Sequence, residues 1–369
     1  MPFHRRKPFV NPRGPPMPKA ADYASIQYLR GFAALCVVVH HLGVQLGRLG
    51  GTAMLPEFFA SGVDIFFVIS GFIMWVTTSR ADVTPLAFYR RRLGRIVPLY
   101  WFFTTLMVLI ALAVPGVLQS ARLDFWHVVS SYLFLPSVSP ADGTASPLLV
   151  PGWTLNYEMF FYAIFGLSLF LPSRARLFAV GGILLGLVVT GVFVQPTQPA
   201  MQFWTSSILL EFLFGLAIGA TVSNPRLRLA GAPVLAAGLV LIALGLFTLI
   251  VPDAWSWGLP RALFFGVPAA MLVLGTVLLD RAGAVETWPL PRLIGDASYS
   301  IYLSHGLTLS ALGQVWRRLP LDGNPLSLAV FSVVGLVLSV VAGLAVYFAM
   351  ERPLARALRD RRRPILASA

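Results

Sequence analysis

Residues 25–43 read SIQYLRGFAALCVVVHHLG. At 1.5 Å rise per residue, this helix would cover about 28 Å, close to the roughly 30 Å hydrocarbon core of a bilayer. The stretch is apolar except at a few positions, chiefly Arg30 and the adjacent pair His40 and His41. An ionisable side chain at the centre of a span costs about 2.5–3.5 kcal/mol on insertion scales, so such residues face the protein interior. Arg30 and His41 are eleven residues apart, which is about 20° past three full helical turns. They therefore share a face, about 16 Å apart along the axis, while His40 points about 100° away.

The rest of the chain continues this pattern. Of 369 residues, 57% are hydrophobic and 12% charged, and the mean hydropathy is +0.77. A soluble domain carries about 25% charged residues. Both a water-soluble core and intrinsic disorder are excluded. The one cysteine, Cys36, excludes a disulfide framework and a cysteine-based metal cluster. The net charge of +13 reads as orientation in a bilayer, with no nucleic-acid partner.

Ten apolar runs are long enough to cross a bilayer: 25–47, 61–79, 96–114, 152–171, 178–195, 202–222, 231–251, 261–280, 297–315 and 326–349. With both termini in the cytoplasm, 22 of the 28 basic residues fall inside and 5 outside, as the positive-inside rule requires. The expected fold is all-α and polytopic. A basic tail (1–24) precedes a transmembrane domain (25–350), and a second basic tail (351–369) follows it. The first tail is broken by prolines and lacks the apolar run of a signal peptide. The second, ERPLARALRDRRRP, reads as an anchor on the anionic headgroups of membrane lipids. Between about Pro115 and Pro151 we expect an outer loop that begins with an interfacial helix.

Polar residues inside the spans are the candidates for function. Asp64 enters the second span at a depth similar to His41. It is either a helix N-cap or a carboxylate that fixes the tautomer of that imidazole. Glu158, in WTLNYEMFFY near Trp153 and Asn156, needs a partner, for which Arg30 or the 90–95 cluster would serve. His305, in SYSIYLSH, sits at mid-depth of the ninth span. Glu211 reads as structural. FYRRRLGRIVPLYW (88–101) puts Arg92 and Arg95 three residues apart at the inner membrane boundary. Guanidinium forks there suit phosphate groups. Walker loops, His-Glu-x-x-His and Gly-x-Ser-x-Gly motifs do not occur, so ATP-driven pumping and zinc chemistry are unsupported and no metal is expected.

SIQYLRGFAALCVVVHHLG, GVDIFFVISGFIMW, YRRRLGRIVPLYW, WTLNYEMFFY, SYSIYLSHGL and the terminal ERPL follow one another in order. Together they resemble the acyltransferase-3 family of integral membrane acyltransferases, and within it the ExoZ-like exopolysaccharide O-acetyltransferases. The resemblance covers about residues 25–355. It implies ten core spans in a bacterial inner membrane. It also implies transfer of an acetyl group from cytosolic acetyl-CoA to a hydroxyl of an exopolysaccharide or lipid-linked sugar. The family's Arg and His eleven residues apart match Arg30 and His41, its arginine motif matches Arg92 and Arg95, and its Trp-x-x-x-x-Glu motif matches Trp153 and Glu158. The adjacent His40 departs from the pattern, so the match of His41 rests on spacing. Many relatives carry a further extracytoplasmic hydrolase-like domain. The sequence ends 19 residues past Met350, so none is expected here.

On this reading Arg92, Arg95 and Arg30 hold the CoA phosphates, and the pantetheine arm runs outward to His41. His41 is then a general base oriented by Asp64 or Glu158, with Asn156 or His305 as oxyanion donor. An acetyl-His41 intermediate is the other route. Two different functions are alternatives: a transporter or flippase for a lipid-linked saccharide, with the same residues lining its path, and a structural partner in polysaccharide export, for which His41→Ala would leave the phenotype intact.

Reporter fusions after Arg95, Arg176, Arg228 and Arg359 are expected to give cytoplasmic signals, and fusions within 137–147 and 320–325 external ones. An external signal after Arg228 would break the ten-span arrangement.

Overall fold

In the computed structural model, residues 23–51, 56–79, 83–114, 122–224, 232–250, 261–319 and 324–360 are described. Their regular elements are all helices, and among them there is no strand. Seven helical stretches are long and apolar enough to cross a membrane: Ala24–Arg48, Phe58–Thr78, Pro85–Ala113, Ser173–Val194, Pro199–Val222, Ala262–Arg281 and Pro325–Leu358. The other three expected spans are also occupied by helices, α5 (Trp153–Leu167), α9 (Ala232–Ile250) and α12 (Ser298–Trp316). The two that carry Glu158 and His305 lie outside the apolar seven. Each gives up hydropathy to polar groups that face the protein.

The remaining elements follow the chain. Helix α1 is Ala24–Arg48, α2 is Gly62–Thr78 and α3 is Pro85–Ala113. Helix α4 (Phe125–Tyr132) is the short helix expected at the start of the outer loop. Helix α6 is Ser173–Val194. The expected span 202–222 is broken into α7 (Pro199–Trp204) and α8 (Leu209–Val222). Helix α10 (Val267–Arg281) begins after one π-helical turn, Ala262–Gly266. Helix α11 (Pro289–Asp296) leads into α12, and α13 (Pro325–Val346) passes through a second π-turn, Tyr347–Glu351, into α14 (Arg352–Asp360). The tail expected to end as a lipid anchor thus starts as a helix continuous with the last span. Residues 1–22 and 251–260, where Trp255 and Trp257 interrupt the sequence pattern, lie outside the described residues.

Helices α2 and α8 make the most extensive packing in the bundle. Two glycines permit it. A Cβ on Gly71 would lie 2.1 Å from the carbonyl oxygen of Phe212, and one on Gly215 would lie 2.0 Å from that of Val68. Backbones in contact through small residues are the usual way for membrane helices to associate, because lipid supplies no hydrophobic force between them. Around this crossing pack Val68, Phe72, Phe212 and Leu216, all fully buried. Helix α1 lies against α2, α11 and α12. Its approach to α11 depends on Gly295, where a Cβ would fall 2.0 Å from the Gln27 carbonyl oxygen. The start of α1 is held by Asp280 of α10, which accepts hydrogen bonds from the Ser25 amide and hydroxyl.

Gly71→Leu or Gly215→Leu is expected to force α2 and α8 apart. Overpacking of this kind costs about 1–3 kcal/mol or more. Purified protein in detergent should show a lowered Tm, while a control leucine at Gly182, which has open space around it, should not.

Candidate active site

Two neighbouring cavities and a histidine pair define the polar interior. The inner cavity has a volume of about 90 Å³ and is lined by residues of α1, α2, α3, α5 and α12, among them Arg30, Ser70, Arg92, Arg95, Glu158 and Tyr302. The second, of about 450 Å³, is bounded by Gln27 and Arg30 of α1, Arg91 and Arg95 of α3, and the start of α14. Arg30 and Arg95 line both, so they stand at the junction.

The arginines reach these positions for local reasons. α3 begins at Pro85, capped by the Thr84 side chain on the Ala87 amide. The whole arginine cluster is therefore helical, ahead of the expected start of the span at residue 96. Arg92 is half-buried. It donates to the Thr77 hydroxyl (3.3 Å) and lies over the rings of Phe88 and Tyr162, 5.7 and 5.9 Å from their centroids. Arg30 is buried and donates to Gln27 Oε1 (3.1 Å). Oε1 of Glu158 accepts from the Ser70 hydroxyl (3.1 Å) and from the Tyr162 hydroxyl. Three sequence-predicted arginines and Glu158 thus share one cavity. Sequence reading missed Ser70 and Tyr162. Tyr162 is one helical turn after Glu158, a spacing that could have pointed to it.

Tyr302 borders the inner cavity, its hydroxyl donating to the Pro151 carbonyl (2.9 Å) and 2.8 Å from Thr154 Oγ1. Next to it the His305 ring lies 6.0 Å away, and the His41 ring 4.8 Å beyond that. His41 Nδ1 is 2.9 Å from the Val37 carbonyl oxygen, and His305 Nδ1 is 2.6 Å from that of Tyr302. A carbonyl only accepts, so in both rings Nδ1 carries the hydrogen. In the neutral rings each Nε2 then carries a lone pair. His305 Nε2 is buried without a protein partner. This tautomer makes His305 an acceptor; it would donate to an oxyanion only after taking a proton at Nε2. His40 meets the His41 ring edge-on at 5.3 Å.

The expected carboxylate partner of His41 is elsewhere. Asp64 is fully buried and joined by a two-pronged ion pair to Arg261, Nε to Oδ1 at 2.9 Å and Nη2 to Oδ2 at 2.7 Å. Glu211 of α8 is buried beside this pair, its side chain against Gly266. Glu158 bonds to Ser70 and Tyr162 as described, and the His41 ring donates its hydrogen bond to the Val37 carbonyl of its own helix. Trp153 packs among aromatic rings, 6.3 Å from Phe67 and 5.9 Å from Tyr157. Asn156 is buried, lines neither cavity, and its Oδ1 has no protein partner. Among the described residues no group of three or more His, Cys, Asp or Glu is placed to hold a metal ion.

A cavity lined by arginines thus lies next to two imidazoles oriented by backbone carbonyls, within a bundle of apolar helices. The chain belongs to the acyltransferase-3 family: residues 23–347 match it, and the match is described as an acyltransferase domain. It is 43% identical over 306 residues to the exopolysaccharide production protein ExoZ of Rhizobium meliloti (strain 1021), covering 82% of this chain and 92% of that protein. It is 30% identical over 302 residues to the putative membrane-bound transacylase BcsY of Komagataeibacter xylinus, covering 76% and 71% of the two chains. Similarity to the peptidoglycan O-acetyltransferase OatA of Listeria monocytogenes is 26% over 312 residues, spanning 76% of this chain and 48% of OatA. No solved structure matches significantly. The protein is a multi-pass membrane acyltransferase.

Asp64→Asn removes the charge that pairs Arg261. We expect a loss of about 1–3 kcal/mol of stability, towards the lower end because the Arg261 side chain is 32% exposed. Thermal unfolding in detergent should show it, with transfer by the surviving folded fraction retained. Unchanged stability together with lost transfer would instead place Asp64 in the chemistry.

Proposed function

We propose that this protein is an O-acetyltransferase of the bacterial inner membrane. It moves an acetyl group from cytosolic acetyl-CoA to a hydroxyl of an exopolysaccharide or lipid-linked glycan. Ten spans with both termini cytoplasmic fit this reading, with the C-terminal end of α1 towards the acceptor side. One observation carries it: the arginine cavity at Arg30, Arg92 and Arg95 runs up to Tyr302, behind which lie two carbonyl-anchored histidines. The similarity to ExoZ and to OatA supports the acceptor class and the acetyl group.

The chemistry follows from the tautomers. The thioester end of the donor enters the inner cavity, and the acceptor hydroxyl approaches from the opposite side. His41 Nε2 takes the hydroxyl proton as the oxygen attacks the thioester carbonyl. The tetrahedral intermediate collapses by breaking the C–S bond, and the departing sulfur takes the proton back from His41. Anchoring by Val37 replaces the carboxylate partner expected from sequence: the ring is held in place without added negative charge. A thioester is already an activated acyl group, so an unassisted neutral imidazole is an adequate base. Glu158, held by Ser70 and Tyr162, balances the guanidinium charge of the cavity. Tyr302 separates the cavity from the histidines, so its side chain must swing aside for the thioester to reach His41.

His41→Ala is expected to lower acetyl transfer about 10²–10⁴-fold with normal insertion and thermal stability. His40→Ala should cost far less. Transfer of labelled acetyl groups from acetyl-CoA by the purified variants checks this, with mass spectrometry of surface polysaccharide from cells with and without the protein. A dead His40→Ala beside an active His41→Ala, or unchanged polysaccharide, would refute the assignment.

A further inference from the structure

The larger cavity has a wall that the reading so far leaves without a task. Helix α14 contributes Arg352, Leu354, Ala355 and Leu358 to it, facing Arg91, Gly94 and Arg95 of α3. This contact is built in. Gly94 lacks a side chain where Leu358 sits: a Cβ there would lie 2.8 Å from Leu358 Cδ1. The π-turn Tyr347–Glu351 sets the direction in which α14 leaves α13, and such bulges are frequent at functional sites. Glu351, the last residue of that turn, accepts from the Ser300 hydroxyl at 2.5 Å, and Arg352 lies 5.6 Å from the centroid of the Phe348 ring. The cavity gathers four guanidinium groups, Arg30, Arg91, Arg95 and Arg352, against two carboxylates, Asp296 and Glu351. The excess is positive and faces a space of about 450 Å³, five times the volume of the inner cavity.

Resting on the reading of acetyl-CoA as donor, we propose that α14 is part of the donor site, and that Arg352 with Arg91 binds the 3′-phosphate at the nucleotide end of CoA. The order of the two cavities requires it. The thioester must lie deepest, and an inner cavity of about 90 Å³ cannot take an adenosine nucleotide. The nucleotide therefore stays in the larger cavity. The diphosphate between its two ends passes the junction at Arg30 and Arg95. The arginines of the larger cavity away from that junction, Arg91 and Arg352, meet the remaining phosphate. Exposed and on two different helices, they can converge on a phosphate from either side. The basic C-terminal helix is thus a ligand-binding wall before it is a lipid anchor.

The test uses the full chain in lipid nanodiscs and calorimetric titration with two probes, CoA and 3′-dephospho-CoA. Wild type should bind CoA at least about tenfold more tightly, the scale of a charge-assisted hydrogen bond. Arg352→Gln and Arg91→Gln should weaken CoA by about that factor and leave dephospho-CoA unchanged, so that the preference disappears. Arg95→Gln should weaken both probes equally. Arg352→Lys should keep part of the preference, and it replaces the glutamine variant should that fail to fold. If wild type binds neither probe, the donor reading itself fails. If wild type binds both equally, or Arg352→Gln weakens both equally, the donor reading stands and this assignment is overturned. It is equally overturned if Arg352→Gln changes neither affinity but lowers Tm only in anionic nanodiscs, which would make α14 a lipid anchor.

Discussion

A guanidinium group inside a lipid-spanning bundle has to be met by something. In hydrocarbon the alternative is a penalty of several kcal/mol, and this penalty organises the interior of the protein. Arg30 cannot sit where it does without Gln27 and the polar cavity around it. Arg92 is taken up by Thr77 and two aromatic rings, and Arg261 by both oxygens of Asp64. The contacts of Arg92 and Arg261 also tie separate elements together, α3 to α2 and α5, and the start of the turn before α10 to α2. The apolar residues fill the space between them, but dispersion alone gives no register along a smooth helix. The charged groups set the register, and close glycine contacts such as Gly71 against Phe212 and Gly215 against Val68 let the backbones reach it.

The same economy separates two kinds of buried charge. The Asp64–Arg261 pair is closed: both carboxylate oxygens are taken and the pair faces α8 and the turn before α10. The Arg30–Arg95 region is open, with the cationic groups bordering empty space rather than an acid in salt-bridge contact. A closed pair stabilises; an open one is available to a ligand. By this criterion Asp64 is engaged within the fold, and the arginines of α1 and α3 that border the cavities are free to meet a ligand.

Much of this was legible in the sequence. Hydropathy placed a helix at each of the ten expected runs, and the helical ends fall close to the expected ones for α1, α2 and α12. Spacing put Arg30 and His41 on one stripe, and the structure gives Arg30 to the cavities and His41 to the histidine pair. What sequence could not supply were partners far away in the chain. Asp64 and Arg261 are separated by 197 residues, and depth in the membrane alone made Asp64 look like a neighbour of His41. Depth is one coordinate, whereas contact also requires the face of the helix, and Asp64 is turned from α1 towards α8. The anchoring of His41 by Val37 was hidden for the opposite reason: the partner is a backbone carbonyl, present at every position and marked by no residue type. The break between α7 and α8 and the π-turn before α14 are likewise backbone events, and the hydropathy profile carries no mark of their geometry.

The carbonyl-anchored histidines have an electrical consequence. Both rings hold their Nδ1 hydrogens on uncharged acceptors, so with Nε2 unprotonated the pair carries no formal charge within the membrane field. A charge displaced across that field does work of about 2.3 kcal/mol per 100 mV. In the proposed reaction the acceptor loses a hydroxyl proton and gains an acetyl group, and the donor sulfur gains that proton. Every species that enters or leaves the bundle keeps its charge. Transfer is then electroneutral, neither driven nor opposed by the membrane potential, and a cell whose membrane is depolarised would go on modifying its surface glycans as long as the thioester supply lasts.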